Sequence, residues 1–321
     1  MTPQSVLVEP RAPVSQGAEP APAEATAADF VKVPWLSKAT TLFVIIMPFV
    51  ATFVAPFYFH FSWVDGALLF GFCVLTMLGI TVGYHRLFTH ASFETPTWVK
   101  CMFGIFGSMA VQGSLFDWVA THRRHHQFSD TPDDPHSPHH HGHGIGALLK
   151  GAYHSHIGWF FEPEPSNMAR YIKDLRNSRA LRAVNSLFPL WVVLTLILPG
   201  VLGGVITLSW KGALTGFLWG GLVRVFLVHH ITWSINSACH LWGSRPFPSK
   251  DLSRNNMIFG ILALGEGWHN THHAFPRSAR HGLRWWEFDG SYGVIQLLSL
   301  LGLAWDIRLP DDKALASRKS G

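Results

Sequence analysis

The stretch Glu266-Gly267-Trp268-His269-Asn270-Thr271-His272-His273 places three histidines at positions i, i+3 and i+4. On a helix these offsets put the three imidazoles on one face, within reach of a single centre. The same spacing recurs in His122-Arg123-Arg124-His125-His126. A looser pair stands in His85-Arg86-Leu87-Phe88-Thr89-His90, and a single His240 follows Asn236-Ser237-Ala238-Cys239.

These four stretches predict a site for more than one metal ion. A tetrahedral site takes about four ligands, and the stretches hold more than twice that number. A lone histidine is more often packed or solvated, but imidazoles stacked on one face have little structural use, because neutral rings pack poorly and charged rings repel. Imidazole suits Fe, Zn, Cu and Ni, so we expect two transition-metal ions. The predicted ligands are His85, His90, His122, His125, His126, His240, His269, His272 and His273.

The composition indicates a membrane protein. The chain is 48% hydrophobic and 14% charged, whereas soluble domains average about 25% charged residues. The three scattered cysteines imply no disulfide framework and favour a reducing compartment. The net charge of +5 does not indicate nucleic-acid binding, because the basic residues flank apolar stretches and form no compact patch.

Runs of uncharged residues predict an all-α integral membrane protein with four transmembrane helices. The expected spans are about 39–59, 66–84, 186–210 and 212–234. Residues 1–35 are expected to be a disordered tail and 311–321 a C-terminal tail, so that 36–310 form the membrane domain. The apolar but interrupted stretch 98–118 predicts a re-entrant or interfacial helix pair. The stretch 292–305 is too short to span and is expected to cover a helical cap that holds the histidines.

The distribution of basic residues predicts the topology. Lys211 is the only cation in the two short turns after the first and third spans, whereas the segments after the second and fourth spans are rich in Lys and Arg. Basic loops stay in the cytoplasm. We therefore expect both termini, the cap and all four histidine stretches on the cytoplasmic side. The histidines at 136, 139, 140, 141 and 143 lie in an irregular loop and are weaker candidate ligands.

The histidine stretches, taken together and in order, resemble the boxes of the membrane fatty-acyl desaturases, and most of all those of the Δ9 (stearoyl-CoA type) enzymes. The resemblance runs from about Thr40 to about Leu309. It rests on the four stretches given above, on Gln127-Phe128 and Asp134-Pro135-His136 after the second, and on Ala274-Phe275-Pro276 after the fourth.

This resemblance implies an O2-dependent desaturase that introduces a cis double bond at Δ9 into a saturated long-chain acyl-CoA. It implies a di-iron centre held by the nine histidines, with Asn236 reaching one iron through a water. It also implies a kinked acyl tunnel lined beside the irons by Gln112, Trp118 and Thr232, with its far end in the second span. The His-Pro-Gly-Gly signature of a fused cytochrome b5 is not present. We therefore expect a separate electron donor, such as a ferredoxin, cytochrome b5 or an oxidoreductase.

The residues themselves suit this chemistry. Methylene C–H bonds are not acidic, so their removal needs a metal-bound oxidant made from O2, while the protein supplies position. Groups that accept a hydrogen bond from the outer ring nitrogen fix the tautomers of metal-bound histidines, and Glu266, Asp117 and Asn270 are the candidates for this role. The target carbons offer no polar handle, so a tunnel that bends at one depth must select them.

Several alternatives remain open at this stage. The positions matching Gly113, Ala120 and Thr121 are polar or charged in the animal acyl-CoA enzymes, so an acyl carrier protein or a glycerolipid is an alternative carrier. A membrane di-iron hydroxylase of lipids or alkanes would use similar ligands, although its boxes usually differ. A metal transporter would place its ligands near the membrane midplane, whereas here His60 is the only histidine before the end of the second predicted span.

Overall fold

Four long apolar helices dominate the computed structural model, which describes residues 30–318. Within this range four helical segments are long and apolar enough to cross a membrane: Trp35–Tyr58, Trp63–Thr89, Phe188–Thr207 and Trp210–Leu241. Helices suit lipid because they satisfy all their backbone hydrogen bonds internally. The predicted architecture, mostly helical with four long apolar helices, is confirmed.

The elements follow in chain order. The helices are α1 (Trp35–Tyr58), α2 (Trp63–Leu78), α3 (Thr97–Ser108), α4 (Leu115–Phe128), α5 (Ile145–His156), α6 (Lys173–Arg176), α7 (Arg179–Ser186), α8 (Phe188–Thr207), α9 (Trp210–Gly216), α10 (Arg224–Leu241), α11 (Met257–Leu262), α12 (His269–Ala274), α13 (Gly290–Leu300) and α14 (Asp312–Ser317). Two π-helical segments, Gly79–Thr89 and Phe217–Val223, continue α2 and link α9 to α10. Short 3₁₀ turns cover Gly158–Phe161 and Met168–Ile172.

The span ends differ from the predicted ones for local reasons. The second span begins at Trp63 because Ser62 and Asp65 form a reciprocal capping box. The third span ends at Thr207 because Leu208 adopts the left-handed conformation, with φ of 49°. The fourth span then starts at Trp210, since the Ser209 hydroxyl accepts a hydrogen bond from the Lys211 amide. The second and fourth spans run past their predicted ends to Thr89 and Leu241, so that His85 and His240 lie near the ends of these spans.

Small residues bring the third and fourth spans into close contact. A Cβ atom added at Gly203 would collide with the carbonyl of Gly212, and one at Gly216 would collide with the carbonyl of Pro199. Small residues at helix–helix contacts are typical of membrane proteins, because they let the backbones approach. This close pairing sets α8 beside the helix that carries His240.

The cap consists of residues 90–187 and 242–318, outside the four spans. The predicted helix pair at 98–118 appears as α3 and the start of α4, joined by a turn at 109–114. Helix α13 presses the fully buried Ile295 onto the cap core, and the Ser291 hydroxyl donates to Thr81 in the second span at 2.7 Å. Its opposite face is open, with Leu300 85% exposed, so α13 covers the cap with one face only.

The structure describes only part of each predicted tail. Residues 1–29 and 319–321 lie outside the described residues. Phe30–Val31 forms a short strand, β1, which pairs antiparallel with β2 (Glu164–Pro165), so this part of the N-terminal tail is ordered by backbone pairing. Asp311 caps the helix α14 within the C-terminal tail.

Candidate metal centre

The structure brings the nine predicted histidine ligands together in two adjacent groups. In each group, one nitrogen from every member lies within 4.8 Å of the others. The five-histidine group consists of His85, His90, His122, His126 and His272, and the four-histidine group of His125, His240, His269 and His273. Residues far apart in the chain therefore meet at one place, between the ends of the second and fourth spans and helices α4 and α12.

Each histidine triple divides between the two groups, so the three imidazoles of one triple do not all belong to one group. From α4, His122 and His126 join the five-histidine group while His125 joins the other. From α12, His269 and His273 join the four-histidine group while His272 crosses to the first. Positions i and i+4 lie about 40° apart around a helix, whereas i+3 and i+4 lie about 100° apart. Each helix thus gives its i and i+4 residues to one group and its i+3 residue to the other.

A π-helix brings the rings of His85 and His90 to the same side of the second span. Five residues along an α-helix turn through about 500°, which leaves positions i and i+5 about 140° apart. Gly79–Thr89 is π-helical instead, and the His90 amide donates to the His85 carbonyl at 3.1 Å, in the i+5 pattern of that helix. The two rings then lie 4.8 Å apart, centroid to centroid. The wider helix therefore brings both rings into one group.

Four carboxylates hold the outer nitrogens of four of these histidines. The Nδ1 atom of His85 lies 2.6 Å from Glu266. The other three pairs are His125 with Asp134 at 2.9 Å, His240 with Asp130 at 2.9 Å and His273 with Asp251 at 2.8 Å. A carboxylate at Nδ1 keeps the proton on that nitrogen and turns the lone pair of Nε2 inward.

Of the three residues predicted to fix histidine tautomers, only Glu266 contacts a histidine of the two groups. Glu266 contacts His85 and also the guanidinium of Arg86, at 3.3 Å. Asp117 instead accepts a hydrogen bond from the Ser114 hydroxyl at the start of α4. Asn270 binds both backbone groups of Phe247, at 2.9 and 3.0 Å, and so fixes the loop that carries Asp251.

Sequence reasoning missed the three aspartates. Asp130 and Asp134 directly follow the second histidine stretch, so their position was a usable signal. Asp251 lies in a loop before α11 and gave none. His281 was missed as well: its Nδ1 lies 3.4 Å from Glu266 and 3.2 Å from Arg86. His136, a weaker candidate in the sequence, stacks on His125 with ring centroids 4.3 Å apart.

Burial sets the charge of the histidines in the cap. Five of the histidines outside the spans have pKa values well below the ordinary value of histidine. Burial is the main cause, and repulsion from neighbouring imidazoles is the second. These five are His90, His122, His126, His269 and His272. Burial likewise lowers the pKa of His273 to about 4, against the opposing pull of Asp251. Burial alone would raise the pKa of Asp134, but the facing His125 outweighs it and lowers that pKa. At neutral pH these six imidazoles are therefore neutral, which is the form that binds metals. At His125 burial is outweighed by the facing Asp134, which raises the pKa of that imidazole.

The spacing of the inward nitrogens fits metal ions. A transition-metal ion would hold imidazole nitrogens at about 2.0–2.1 Å, so nitrogens that share one ion would lie within about 4.2 Å of each other. The Nε2 pairs His85–His272, His126–His272 and His240–His269 lie at 3.0, 2.9 and 3.1 Å. The buried Nε2 atoms of His90 and His273 have no hydrogen-bond partner among the described residues. Buried nitrogens without partners are unfavourable unless a cation binds them, so the donor set fits one transition-metal ion in each group.

A cleft of about 200 Å³ lies against the five-histidine group, and we call it the inner cleft. It contains all three predicted tunnel residues, Gln112, Trp118 and Thr232, together with Asn236 and His122. The Trp118 ring stacks on the His122 ring at 4.9 Å, and the Gln112 amide donates to the Thr232 hydroxyl at 2.7 Å. An apolar chain in this cleft would therefore pass directly beside the histidines.

A second cleft of about 260 Å³, the outer cleft, continues the first. Both are lined by Gln112, Gly113, Phe160 and Trp233. The outer cleft runs along α1 at Thr40 and Val44. The resemblance implies a tunnel end in the second span, but no residue of Trp63–Thr89 lines either cleft, and Thr76 and Met77 are packed in the core.

Comparison with known proteins agrees with this geometry. The sequence model of the fatty acid desaturase family matches residues 61–289. An sn-1 stearoyl-lipid 9-desaturase of Synechocystis is 44% identical, over 80% of this chain and 76% of its own. A hex-5-enoyl-[acyl-carrier protein] acetylenase of Moorena producens is 42% identical, over 85% and 87%. An icosanoyl-CoA 5-desaturase of Limnanthes douglasii is 39% identical, over 81% and 69%.

The region matched by the family model, residues 61–289, includes all four histidine stretches of this chain. Family membership and the four long apolar helices together make this an integral membrane protein. The chain belongs to the fatty acid desaturase family, whose members are oxidoreductases.

Proposed function

We propose that this protein is an O2-dependent Δ9 desaturase of saturated long-chain acyl groups. The observation that carries the proposal is the pair of histidine groups with metal-ligand spacing, directly beside an apolar cleft. The balanced reaction takes a saturated chain, O2, two electrons and two protons to a cis-unsaturated chain and two waters. The Δ9 position is supported by the name of the Synechocystis relative.

Two irons are the proposed cofactors, one held by each histidine group. Bound iron supplies the redox chemistry with O2 that a methylene chain requires. The protein's own residues orient the ligands through Asp130, Asp134, Asp251 and Glu266, and exclude water with Trp118 and Trp233. Asn236 lines the cleft beside His122, which supports a ligand role through a water.

The acyl carrier has three candidates: CoA, a glycerolipid and an acyl carrier protein. Acyl-CoA is the first, from the resemblance to the stearoyl-CoA enzymes. A glycerolipid-bound chain is favoured by one specific observation: a recess that adjoins the inner cleft carries Asp133, Glu162 and Glu164, with Arg124 as the only cation among its lining residues. Those carboxylates would oppose the phosphates of CoA. The relatives' names include lipid, CoA and acyl-carrier-protein types, so all three belong in the test.

The cap and both termini are proposed to lie in the cytoplasm. The structure groups all nine histidines at one end of the spans, next to the segments rich in Lys and Arg. Residues 36–310 would then act as one membrane domain, with a separate electron donor reaching it from the cytoplasm.

Expression in a host without Δ9 desaturase tests the activity. We expect 16- and 18-carbon acids with a cis double bond at carbon 9, located by mass spectrometry of total fatty acids. Labelled chains supplied as acyl-CoA, acyl carrier protein thioester or glycerolipid identify the carrier by the pool in which the label first becomes unsaturated. Hydroxylated chains in place of olefins would show a hydroxylase.

Metal analysis tests the two-ion centre. Purified protein should hold close to two equivalents of iron, because two separate ligand groups exist. Zinc is an expected substitute after overexpression, since it binds the same ligands more tightly than Fe(II). His125→Ala and His272→Ala should each lower the content, whereas His140→Ala and His143→Ala, both at exposed positions, should not. A content of one equivalent that survives both core substitutions would contradict the proposal.

Asp134→Asn tests the orienting carboxylates. Loss of the charge that holds the His125 Nδ1 proton should weaken metal binding by about 10- to 100-fold. Chelator competition measures this, with the adjacent Asp133→Asn as the matched control, because Asp133 lines only the recess. Equal affinities in the two variants would show that the Asp134–His125 pair does not tune the metal.

Reporter fusions test the orientation. Reporters placed after Gly321 and near Lys150 should read as cytoplasmic, while one in the turn at 59–62 should read as the opposite side. A reversed pattern would separate the histidines from a cytoplasmic electron donor and refute the topology.

A further inference from the structure

The turn at 109–113, between α3 and α4, contains a backbone conformation that is unfavourable for the residue type at Val111. Val111 has a φ of +61° and Gly113 a φ of +110°. Glycine accepts such a conformation readily, but a β-branched residue does not. A strained residue of this kind persists only where surrounding contacts hold it.

Side chains from the fourth span supply those contacts. The Arg224 guanidinium donates to the Met109 carbonyl at 3.1 Å, and His229 Nε2 donates to the Ala110 carbonyl at 2.9 Å. One turn further on, the Thr232 hydroxyl accepts from the Gln112 amide at 2.7 Å. Three side chains of α10 thus bind three residues of the turn.

Arg224 has no other evident role. It is fully buried and forms no ion pair with a carboxylate of the described residues. Its remaining hydrogen bonds go to Thr195 in the third span and to the Gly220 carbonyl. The Thr195 hydroxyl itself donates to the Met109 carbonyl at 2.9 Å. A buried cation within a span that binds only neutral groups indicates a functional constraint.

The turn also lies where the inner and outer clefts meet. Gln112 and Gly113 line both clefts, opposite Trp233. The Trp233 ring packs on His229 with centroids 4.6 Å apart. A shift of the turn would therefore change the width and direction of the passage that an acyl chain must follow.

We propose that Arg224 and His229 are positioning residues for the double-bond site. They clamp the 109–113 turn and so fix the depth at which the chain passes the histidines. Small displacements of a bound chain matter, since neighbouring methylenes differ only in position. This inference rests on the proposed desaturase function for its effect on the product, while the clamp itself is a structural statement that is testable without activity.

Hydrogen exchange tests the clamp on the metal-loaded, full-length protein in detergent. In His229→Ala the Ala110 carbonyl loses its donor, and we expect about tenfold faster exchange in a peptide covering 109–117. His230→Ala is the matched control, because His230 faces His156 at 2.9 Å and not the turn. Equal exchange in the two variants would overturn the clamp.

Product analysis tests the consequence. The wild type should give one positional isomer, and His229→Ala should give a mixture in which an adjacent isomer is about a tenth or more of the olefin. His229→Gln keeps an N–H group within reach of the Ala110 carbonyl and should restore one isomer, whereas His229→Asn is too short and should not. The Gln and Asn pair also decides the matter if the alanine variant does not fold.

The two measurements distinguish a failure of the clamp from a failure of the proposed desaturase function. Faster exchange with a single isomer in both His229→Ala and His229→Asn would refute the control of double-bond position and leave the clamp. A wild type that forms no olefin, with exchange still faster in His229→Ala than in His230→Ala, would refute the proposed function and support the clamp. Unchanged metal content across the variants excludes damage to the histidine groups as the cause of a mixture.

Discussion

Carboxylates at the rim of the centre determine what its histidines can do. An imidazole presents either a proton or a lone pair to its surroundings, and His125, His240 and His273 each place Nδ1 against an aspartate. Their Nε2 atoms must then face inward as lone pairs, in a region without water. Nitrogens about 3 Å apart would repel under those conditions unless a cation lies between them. The loops that carry the aspartates are for that reason as necessary to the site as the helices that carry the histidines.

Helices α4 and α12 each supply histidines to both groups, and this links the positions of the two groups. Each helix supplies two side chains to one group and one to the other, so neither group can move without the other. The π-helix at the end of the second span belongs to the same arrangement, because it alone aligns His85 and His90. Helical geometry thus sets the distance between the groups as well as their members.

The sequence predicted those parts that depend on local patterns. Four apolar runs predicted the four long apolar helices, and the histidine spacings predicted that α4 and α12 bring histidines together. The division of each triple was beyond prediction, since it depends on how two distant helices are rotated against each other. Asp251 was missed for the same reason: its partner His273 lies 22 positions away and is brought close only by the loop that Asn270 holds. Span ends were displaced where single residues, such as Ser62 and Leu208, impose a cap or a reversal that apolar content does not reveal.

The spread of the ligands along the chain has a consequence for biosynthesis. The five-histidine group needs His272, and the four-histidine group needs His240, His269 and His273. Both membrane hairpins are therefore synthesised before either group has its full set of ligands. Helix α12 supplies the last member of each group, so neither group is complete until α12 has docked against the spans that were made before it. Completion of the histidine groups is in this way a late event, separate in time from the synthesis of the spans.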